Sequence, residues 1–310
     1  MHEGYDDLVA SSPQGSIFAT SWWLDAVAEG RWRAHALDES GSVVAAWPTV
    51  VRPTRWGDVH EGAPLTPFLG PLFEPVENPV RRRARELEHL EALLAELGPF
   101  AHLEARCHPA FDYWTPLSWH GFTQMTRYTW RLRELGDLEA VFAEARENIR
   151  REVRKARKRG VGVSRASLRE LTALNERTGG AAATTRTLER VETAAETRGA
   201  STILGARDGE GRLHAAGYFV YDDSFAYYLL GASDPDLRTS GAPSLLLWTA
   251  IEQAGKRGLG FDFEGSMVRG VERFFRAFGG EPTPYSIVRS TPSRALRVGR
   301  PLKRAIRSLR

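Results

Sequence analysis

The residues best suited to chemistry lie in the segment 261–289, where a short apolar run ends in a Glu-Gly-Ser turn and an arginine-rich stretch follows. The run FDFEGS predicts a buried strand with Glu264 at its end. A helical repeat of apolar and basic residues comes next: Val271, Phe274, Phe275 and Phe278 on one face, and Arg269, Arg273 and Arg276 on another. A carboxylate at a strand end facing a row of guanidinium groups could bind a polar or anionic substrate. A packed core unit with solvated arginines is the alternative interpretation.

The elements that position these residues can be read from periodicity. Helical patterns and alternating strands interleave along the whole chain, which favours an α/β (α+β) fold with a mixed central sheet in each half. Helices are predicted at about 20–29, 79–97, 137–159, 168–198, 242–257 and 270–278. Strands are predicted at about 32–37, 43–52, 100–107, 122–134, 161–166, 201–207, 212–221, 224–231, 259–264 and 284–289. Glycine and proline clusters predict a long loop over 53–79.

A weak internal repeat indicates two similar halves. The segment 41–51 aligns with 211–221, and 99–106 aligns with 260–266, which places Glu104 opposite Glu264. With 310 residues, two domains are the default. The predicted domains are residues 1–140, residues 141–290 and a basic tail, 291–310.

Composition narrows the class of protein. A single cysteine, Cys107, excludes an intrachain disulfide and a CxxC zinc site. The neighbouring His102 and His108 are expected to be structural, and no metal site is predicted. No signal peptide pattern or apolar run of roughly 20 residues is present, so a cytoplasmic location is expected. The sequence gives no information on oligomeric state.

Positive charge is concentrated in two segments. Residues 146–160 contain eight Arg or Lys and two Glu, and residues 294–310 contain seven basic residues and no acid, while the net charge of the chain is only +3. Such fields attract polyanions, for example tRNA, a nucleotide-linked substrate or anionic lipid. A well-solvated arginine-rich helix is the alternative. The candidate tRNA contacts are Arg150, Arg151, Arg154, Lys155, Arg157 and Lys158.

Four segments, in order, resemble the FemABX-like (peptidoglycan-bridge or BioF2-like) branch of the GNAT acyltransferase superfamily. They are GSIFATSWWLDAV (15–27), TPFLGPLF (66–73), ENIRREVRKARKRGVGV (147–163) and GAPSLLLWTAIEQAGKRGLGFDFEGS (241–266). The resemblance spans nearly the whole chain. It implies tandem GNAT-like domains, each with a mixed sheet flanked by helices.

The resemblance also implies a reaction: transfer of an aminoacyl group from aminoacyl-tRNA to an amine acceptor, with no bound cofactor. The strand FAYYLLG looks like the family's tyrosine-bearing strand, although only one of two adjacent tyrosines can face a cleft. The candidate catalytic residues are Tyr227, Tyr228, Glu264 and Arg276. The candidate substrate-binding residues are Trp22, Ser233, Arg238, Arg269, Arg273 and Phe274.

Two departures from the family bear on the substrates. GNAT enzymes that use acyl-CoA hold its pyrophosphate on amides at a helix N-terminus, but the matching segment 238–243 ends in Pro243, which has no amide hydrogen. Phe275 replaces the lysine of the bridge-forming enzymes, so a small peptide or a natural-product amine is a credible acceptor. Two alternatives remain open: an acyl-CoA-dependent N-acyltransferase, and a non-catalytic adaptor whose tail, 301–310, lies on an anionic membrane.

Overall fold

The computed structural model describes residues 2–178, 185–265 and 268–297. The chain divides into two compact units: unit 1 contains residues 1–127 and 284–310, and unit 2 contains residues 128–283. The predicted domain bounds, 1–140, 141–290 and 291–310, stay a prediction. The tail segment 301–310, predicted to contact a membrane, lies outside the described residues.

The described elements alternate along the chain. The helices are α1 (His2–Ser11), α2 (Ser21–Ala28), α3 (Pro79–Leu97), α4 (Thr115–Trp119), α5 (Leu138–Glu144), α6 (Glu147–Lys158), α7 (Leu168–Arg177), α8 (Thr185–Glu196), α9 (Ala242–Lys256) and α10 (Arg269–Arg276). The strands are β1 (Trp32–Glu39), β2 (Ser42–Arg52), β3 (Val59–Glu61), β4 (Leu72–Phe73), β5 (His102–Arg106), β6 (Thr123–Leu132), β7 (Gly162–Arg165), β8 (Ser201–Arg207), β9 (Leu213–Tyr221), β10 (Phe225–Ser233), β11 (Gly260–Asp262) and β12 (Glu281–Ser290).

Unit 1 has a mixed sheet with the strand order β1-β2-β3-β5-β12, and β4 pairs with β2. Helix α3 packs on it through Leu90, Leu93 and Leu97. The helix begins where the sequence dictates, because the Asn78 side chain accepts hydrogen bonds from the first free amides and Pro79 suits the first turn. The α/β class with a mixed central sheet is confirmed here.

Unit 2 contains the strands in the order β6-β11-β10-β9-β8-β7, with β10 and β11 parallel and their outer neighbours antiparallel. Helix α9 is buried along most of its length, and α6 joins the same core through Ile149, Val153 and Ala156. Apolar residues at i, i+4 and i+7 account for this packing of α6 and leave its basic residues outside. None of the described helices combines the length and apolar character needed to cross a bilayer.

The predicted single helix 137–159 is wrong. The chain is extended at Ala145 and Arg146, which separates α5 from α6. The reason is tertiary: Ala145 is buried, and the Arg146 amide donates to the carbonyl of Ala277, 2.9 Å away. The predicted loop 53–79 also contains the short strands β3 and β4, and α1 and α4 were not predicted.

A buried histidine makes the stability of unit 1 sensitive to acid. His60 is 3% exposed, its Nδ1 lies 2.9 Å from the Thr49 hydroxyl, and its ring centroid lies 5.6 Å from that of His35. Burial, followed by the nearby His35, lowers the pKa of His60 from 6.5 to about 4. The unfolded chain therefore binds this proton more tightly than the folded one. His60 contributes its full stabilisation above pH 6.5 and loses it as the pH falls toward 4.

We expect the free energy of unfolding to fall by up to roughly 3 kcal/mol more in the wild type than in His60→Gln when the pH is lowered from 7 to 4. Urea unfolding at several pH values measures the difference. The carboxylates and the remaining titratable groups contribute equally to the stability of both proteins, so their contributions cancel in the comparison. Parallel curves for the two proteins would contradict the buried neutral state of His60.

Candidate active site

The opening between β10 and β11 is the natural place for a ligand in unit 2. The two parallel strands pair only from Phe225↔Gly260 to Tyr227↔Asp262. Strand β11 ends there, whereas β10 continues beside β9 as far as Ser233. Past Tyr227, this edge of β10 therefore has no strand partner among the described residues. Ligands in open α/β sheets bind at the carboxyl ends of such strands.

A β-bulge directly follows Tyr228 on β10. The register with β9 passes from Tyr228↔Phe219 to Leu230↔Tyr218 and leaves Leu229 as the extra residue. Bulges are frequent beside active sites because they re-aim a side chain. The phenol ring of Tyr228 lies over Gly231, where an added methyl carbon would overlap the tyrosine hydroxyl group. A glycine at 231 is therefore needed for this position of the ring.

The adjacent tyrosines have different surroundings. Tyr227 is 1% exposed, and its hydroxyl donates to Asp222 over 2.8 Å, which favours a structural role. Tyr228 is half-buried, with its ring stacked on Phe219 at 5.4 Å and edge-on to Phe275 at 5.9 Å. Burial raises the pKa of both phenols. Tyr228 is therefore a neutral hydrogen-bond donor at physiological pH.

Glu264 lies just beyond the end of β11 in an unusual conformation. Its φ of 50° is in the left-handed region, which residues with a side chain rarely adopt. Its amide donates to Asp262 Oδ1 at 2.8 Å, and the side chain is half-buried. The predicted strand end is thus two residues earlier than expected, and Glu264 belongs to the turn. Strained residues of this kind cluster at functional sites.

Sequence reasoning missed the buried ion pair beneath this turn. Asp262 is fully buried and accepts hydrogen bonds from the Thr129 hydroxyl and from Arg131 Nε, the latter at 2.6 Å. Arg131 is 3% exposed and lies over the Phe225 ring at 4.4 Å. The sequence contained a signal for this pair: Asp262 stands between Phe261 and Phe263 in a predicted buried strand, and a buried carboxylate needs hydrogen-bond or ion-pair partners.

Unit 1 contains a comparable cross-strand pair. Glu104 on β5 faces Arg289 on β12, and the two form an ion pair, just as Asp262 on β11 faces Arg131 on β6. The guanidinium of Arg289 lowers the pKa of Glu104 against the opposing effect of burial. By strand pairing, Glu104 therefore matches Asp262. The predicted match of Glu104 with Glu264 is two residues out of register.

Helix α10 adds the arginines and part of the aromatic core. Phe275 is buried and stacks on Phe263 at 5.4 Å, and Phe274 is half-buried against Phe278. Val271 is 38% exposed, so the predicted apolar stripe is wrong at its first position. The three arginines Arg269, Arg273 and Arg276 are exposed. Arg276 forms an ion pair of 3.0 Å with Glu272 on the same helix.

The described contacts connect Tyr228 with the helix that contains the arginines. The Tyr228 ring contacts Phe275 of α10, and Phe275 stacks on Phe263, the residue before Glu264. Ser233 is half-buried at the far end of β10, and Arg238 is exposed in the turn before α9. Trp22 belongs to unit 1, where it packs edge-on to Trp23 at 5.8 Å. The site roles of all these residues stay predictions.

The N-terminus of α9, where a CoA pyrophosphate would be expected, is packed against protein. Gly241 has φ 80°, and a Cβ atom there would overlap the carbonyl oxygen of Glu152 on α6. The Ala242 amide donates to the Ser240 hydroxyl at 3.2 Å, and Pro243 has no amide hydrogen. An anion at a helix N-terminus needs free, accessible amides. The first residues of α9 offer few of them.

Because of this close contact, we expect Gly241→Ala to lower the free energy of unfolding by about 2–4 kcal/mol, through backbone strain and overpacking. Thermal or urea unfolding provides the measurement. Gly211→Ala is a matched control, since Gly211 has φ 79° with no atom near its Cβ position. Equal losses in the two variants would show that the contact with α6 adds nothing.

The basic face of α6 is partly neutralised. Glu147 lies within 2.7 Å of Arg150 and 3.5 Å of Arg154, and Arg157 lies 3.3 Å from Glu252 of α9. Lys155 pairs with Glu152. Arg151 and Lys158 are both exposed, and Arg151 is 3.9 Å from its nearest carboxylate oxygen. These two residues are the most available to an external polyanion.

Comparisons with known proteins agree with this description. Residues 143–276 match the model of the acetyltransferase (GNAT) domain. The fold is similar to the crystal structure of FemX, with a TM-score of 0.69 and 15% identity over 92% of this chain and 95% of that one. It is also similar to L-PGS from Bacillus licheniformis, with a TM-score of 0.54 and 12% identity over 99% and 97% of the two chains. A search of curated proteins finds no match to this chain.

These findings identify the domain type of residues 143–276 and the fold of the chain. It contains a GNAT acyltransferase domain that includes α6, the strands β7–β11, α9 and α10. The predicted GNAT-like fold and the acyltransferase class are confirmed. The resemblance to the FemABX-like branch is confirmed at the level of the fold.

Proposed function

We propose that this acyltransferase moves an aminoacyl group from aminoacyl-tRNA to the amine of a small peptide, natural product or cell-wall precursor. The observation that carries the choice of donor is the N-terminus of α9. Gly241 lies against the Glu152 carbonyl, and the Ala242 amide already donates to the Ser240 hydroxyl. Pro243 has no amide hydrogen. The N-terminus of α9 therefore offers few free amides to a CoA pyrophosphate. The exposed basic residues of α6 suit a polyanionic donor instead.

In the proposed reaction, the acceptor nitrogen attacks the ester carbonyl carbon of the aminoacyl group. A carbon–nitrogen bond forms, and the carbon–oxygen bond to the terminal ribose of the tRNA breaks. The nitrogen loses one proton and the departing ribose oxygen gains one, so the products are an amide and an uncharged tRNA. No metal, oxidant or reductant is required by this balance.

The residues of β10 and of the turn after β11 suit the steps of this reaction. Tyr228 has a neutral hydroxyl group that can donate to the oxyanion as the tetrahedral intermediate forms. Glu264 has a carboxylate that can accept the proton of an attacking amine and pass it to the leaving oxygen. An α-amine titrates at about pH 7.7–8.0, so only modest basicity is needed. The exposed Arg269, Arg273 and Arg276 can bind an anionic group of the acceptor.

Binding measurements test the donor class. Fluorescence anisotropy with labelled tRNA should show binding that weakens steeply with salt, because released counterions drive it. CoA at millimolar concentration should leave the melting temperature unchanged. Stabilisation by CoA together with salt-independent or absent tRNA binding would overturn the proposal and favour an acyl-CoA-dependent enzyme.

A further inference from the structure

The conformation of Glu264 is disfavoured and must be held by its surroundings. Four described residues other than glycine have positive φ, and Glu264 is the one that follows a buried strand of unit 2. Gly265 comes next, and its Cα lies so close to the Tyr128 carbonyl that a side chain would overlap it. The backbone of the turn is thus pressed against β6 on one side. A second contact must fix its direction.

Asp262 supplies that contact. Its Oδ1 accepts from the Glu264 amide at 2.8 Å and from the Thr129 hydroxyl, and its Oδ2 accepts from Arg131 Nε at 2.6 Å. The direct pairing of Asp262 with Arg131 in the β11–β6 register sets the side chains face to face. Both oxygens of this carboxylate are therefore engaged, and one of them holds the backbone of the turn.

We propose that Asp262, held by Thr129 and Arg131, is a positioning residue that orients Glu264 for the acyl-transfer reaction. This inference rests on the proposed function of the site. Asp262 is fully buried, so it does not touch a substrate itself. It acts through the Glu264 amide, while Arg131 binds its other carboxylate oxygen and so fixes the orientation of the side chain.

The substitutions follow from the acceptor geometry. The side-chain amide introduced by Asp262→Asn has one oxygen and cannot accept from Glu264 and Arg131 on opposite sides. Thr129→Val keeps the shape of Thr129 but removes its hydroxyl, which leaves Asp262 less firmly oriented. Thr129→Ser restores the hydroxyl and serves as the conservative rescue. If Asp262→Asn does not fold, the pair at Thr129 still tests the proposal.

The experiment combines hydrogen exchange by NMR with steady-state kinetics on the full chain. In Asp262→Asn and Thr129→Val, the Glu264 amide should exchange about tenfold faster or more, whereas the Phe263 amide, which donates to Trp130 in β6, should be unchanged. The kcat for aminoacyl transfer should fall about tenfold with little change in KM for aminoacyl-tRNA, since misplacement of a reacting group slows the chemical step. Thr129→Ser should restore both readouts.

Each outcome decides one part of the proposal. Unchanged exchange at Glu264, or equal acceleration at Phe263, would show that Asp262 supports only the strand and would overturn the inference. Faster exchange at Glu264 with an unchanged kcat would show that the turn is held but that its orientation does not matter, which also overturns it. If the wild type transfers no aminoacyl group, the proposed function fails and takes the kinetic role with it. The exchange data still decide whether Asp262 holds the turn.

Discussion

Substitution of Glu264 by glutamine is expected to lower kcat/KM for amide formation about 100-fold, the usual scale for loss of a general base. The change keeps the size of the side chain and leaves the backbone amide free to donate to Asp262. Only the ability to accept a proton is lost. The effect should appear in kcat with saturating donor, because Glu264 is proposed to act on the attacking amine and not on binding of the tRNA.

Glu29→Gln is a matched control for this substitution. Glu29 is also a glutamate with positive φ, at 53°, but it lies at the end of α2 in unit 1 and is exposed. Its replacement should leave activity unchanged. Full activity of Glu264→Gln, with acceptor and donor both saturating, would remove Glu264 from the reaction and leave proton transfer to water or to the substrate.

The second large effect is expected on the basic surface of α6. Replacing Arg151 and Lys158 together with glutamine should weaken tRNA binding about tenfold at moderate salt and reduce the slope of log affinity against log salt by about one to two. These residues are chosen because both are exposed and are not in short ion pairs like those of Arg150 and Arg157. Fluorescence anisotropy over a series of salt concentrations gives both quantities.

A double variant with the same change of charge elsewhere controls for net charge. Arg81 on α3 and Arg169 on α7 are exposed and lie outside the basic helix. Their replacement by glutamine should lower affinity only slightly. If both double variants bind tRNA equally weakly, the attraction comes from the total charge of the protein, and α6 is not a specific contact surface.

The sequence predicts an element correctly where its ends are set by residues close by in the chain. The predicted bounds 79–97 agree with α3, whose ends depend on residues only a few positions away: the capping Asn78, Pro79 in the first turn and Gly98 after the last turn. The helix 137–159 was predicted wrongly for the opposite reason. Its break depends on a hydrogen bond between Arg146 and Ala277, which are distant in sequence. Local propensity alone favours a continuous helix there.

In the candidate site too, features set by neighbouring residues could be predicted, and features set by long-range contacts could not. The end of β11 and the helix α10 are visible in the sequence as a change of period. The bulge at Leu229 depends on the register with β9 and has no local signature. The pair Arg131–Asp262 joins residues far apart in the chain. The contact of Gly241 with Glu152 likewise appears only once α6 and α9 are packed together.

The proposed donor is tested most directly by transfer of radiolabelled amino acids from a charged tRNA pool to a library of amines, peptides and cell-wall precursors, run beside labelled acetyl-CoA. We expect label to move from tRNA into an amide product, Glu264→Gln to reduce this transfer strongly, and acetyl-CoA to give none. Transfer from acetyl-CoA alone, at a rate unaffected by tRNA, would contradict the proposed donor and identify the protein as an acyl-CoA-dependent enzyme.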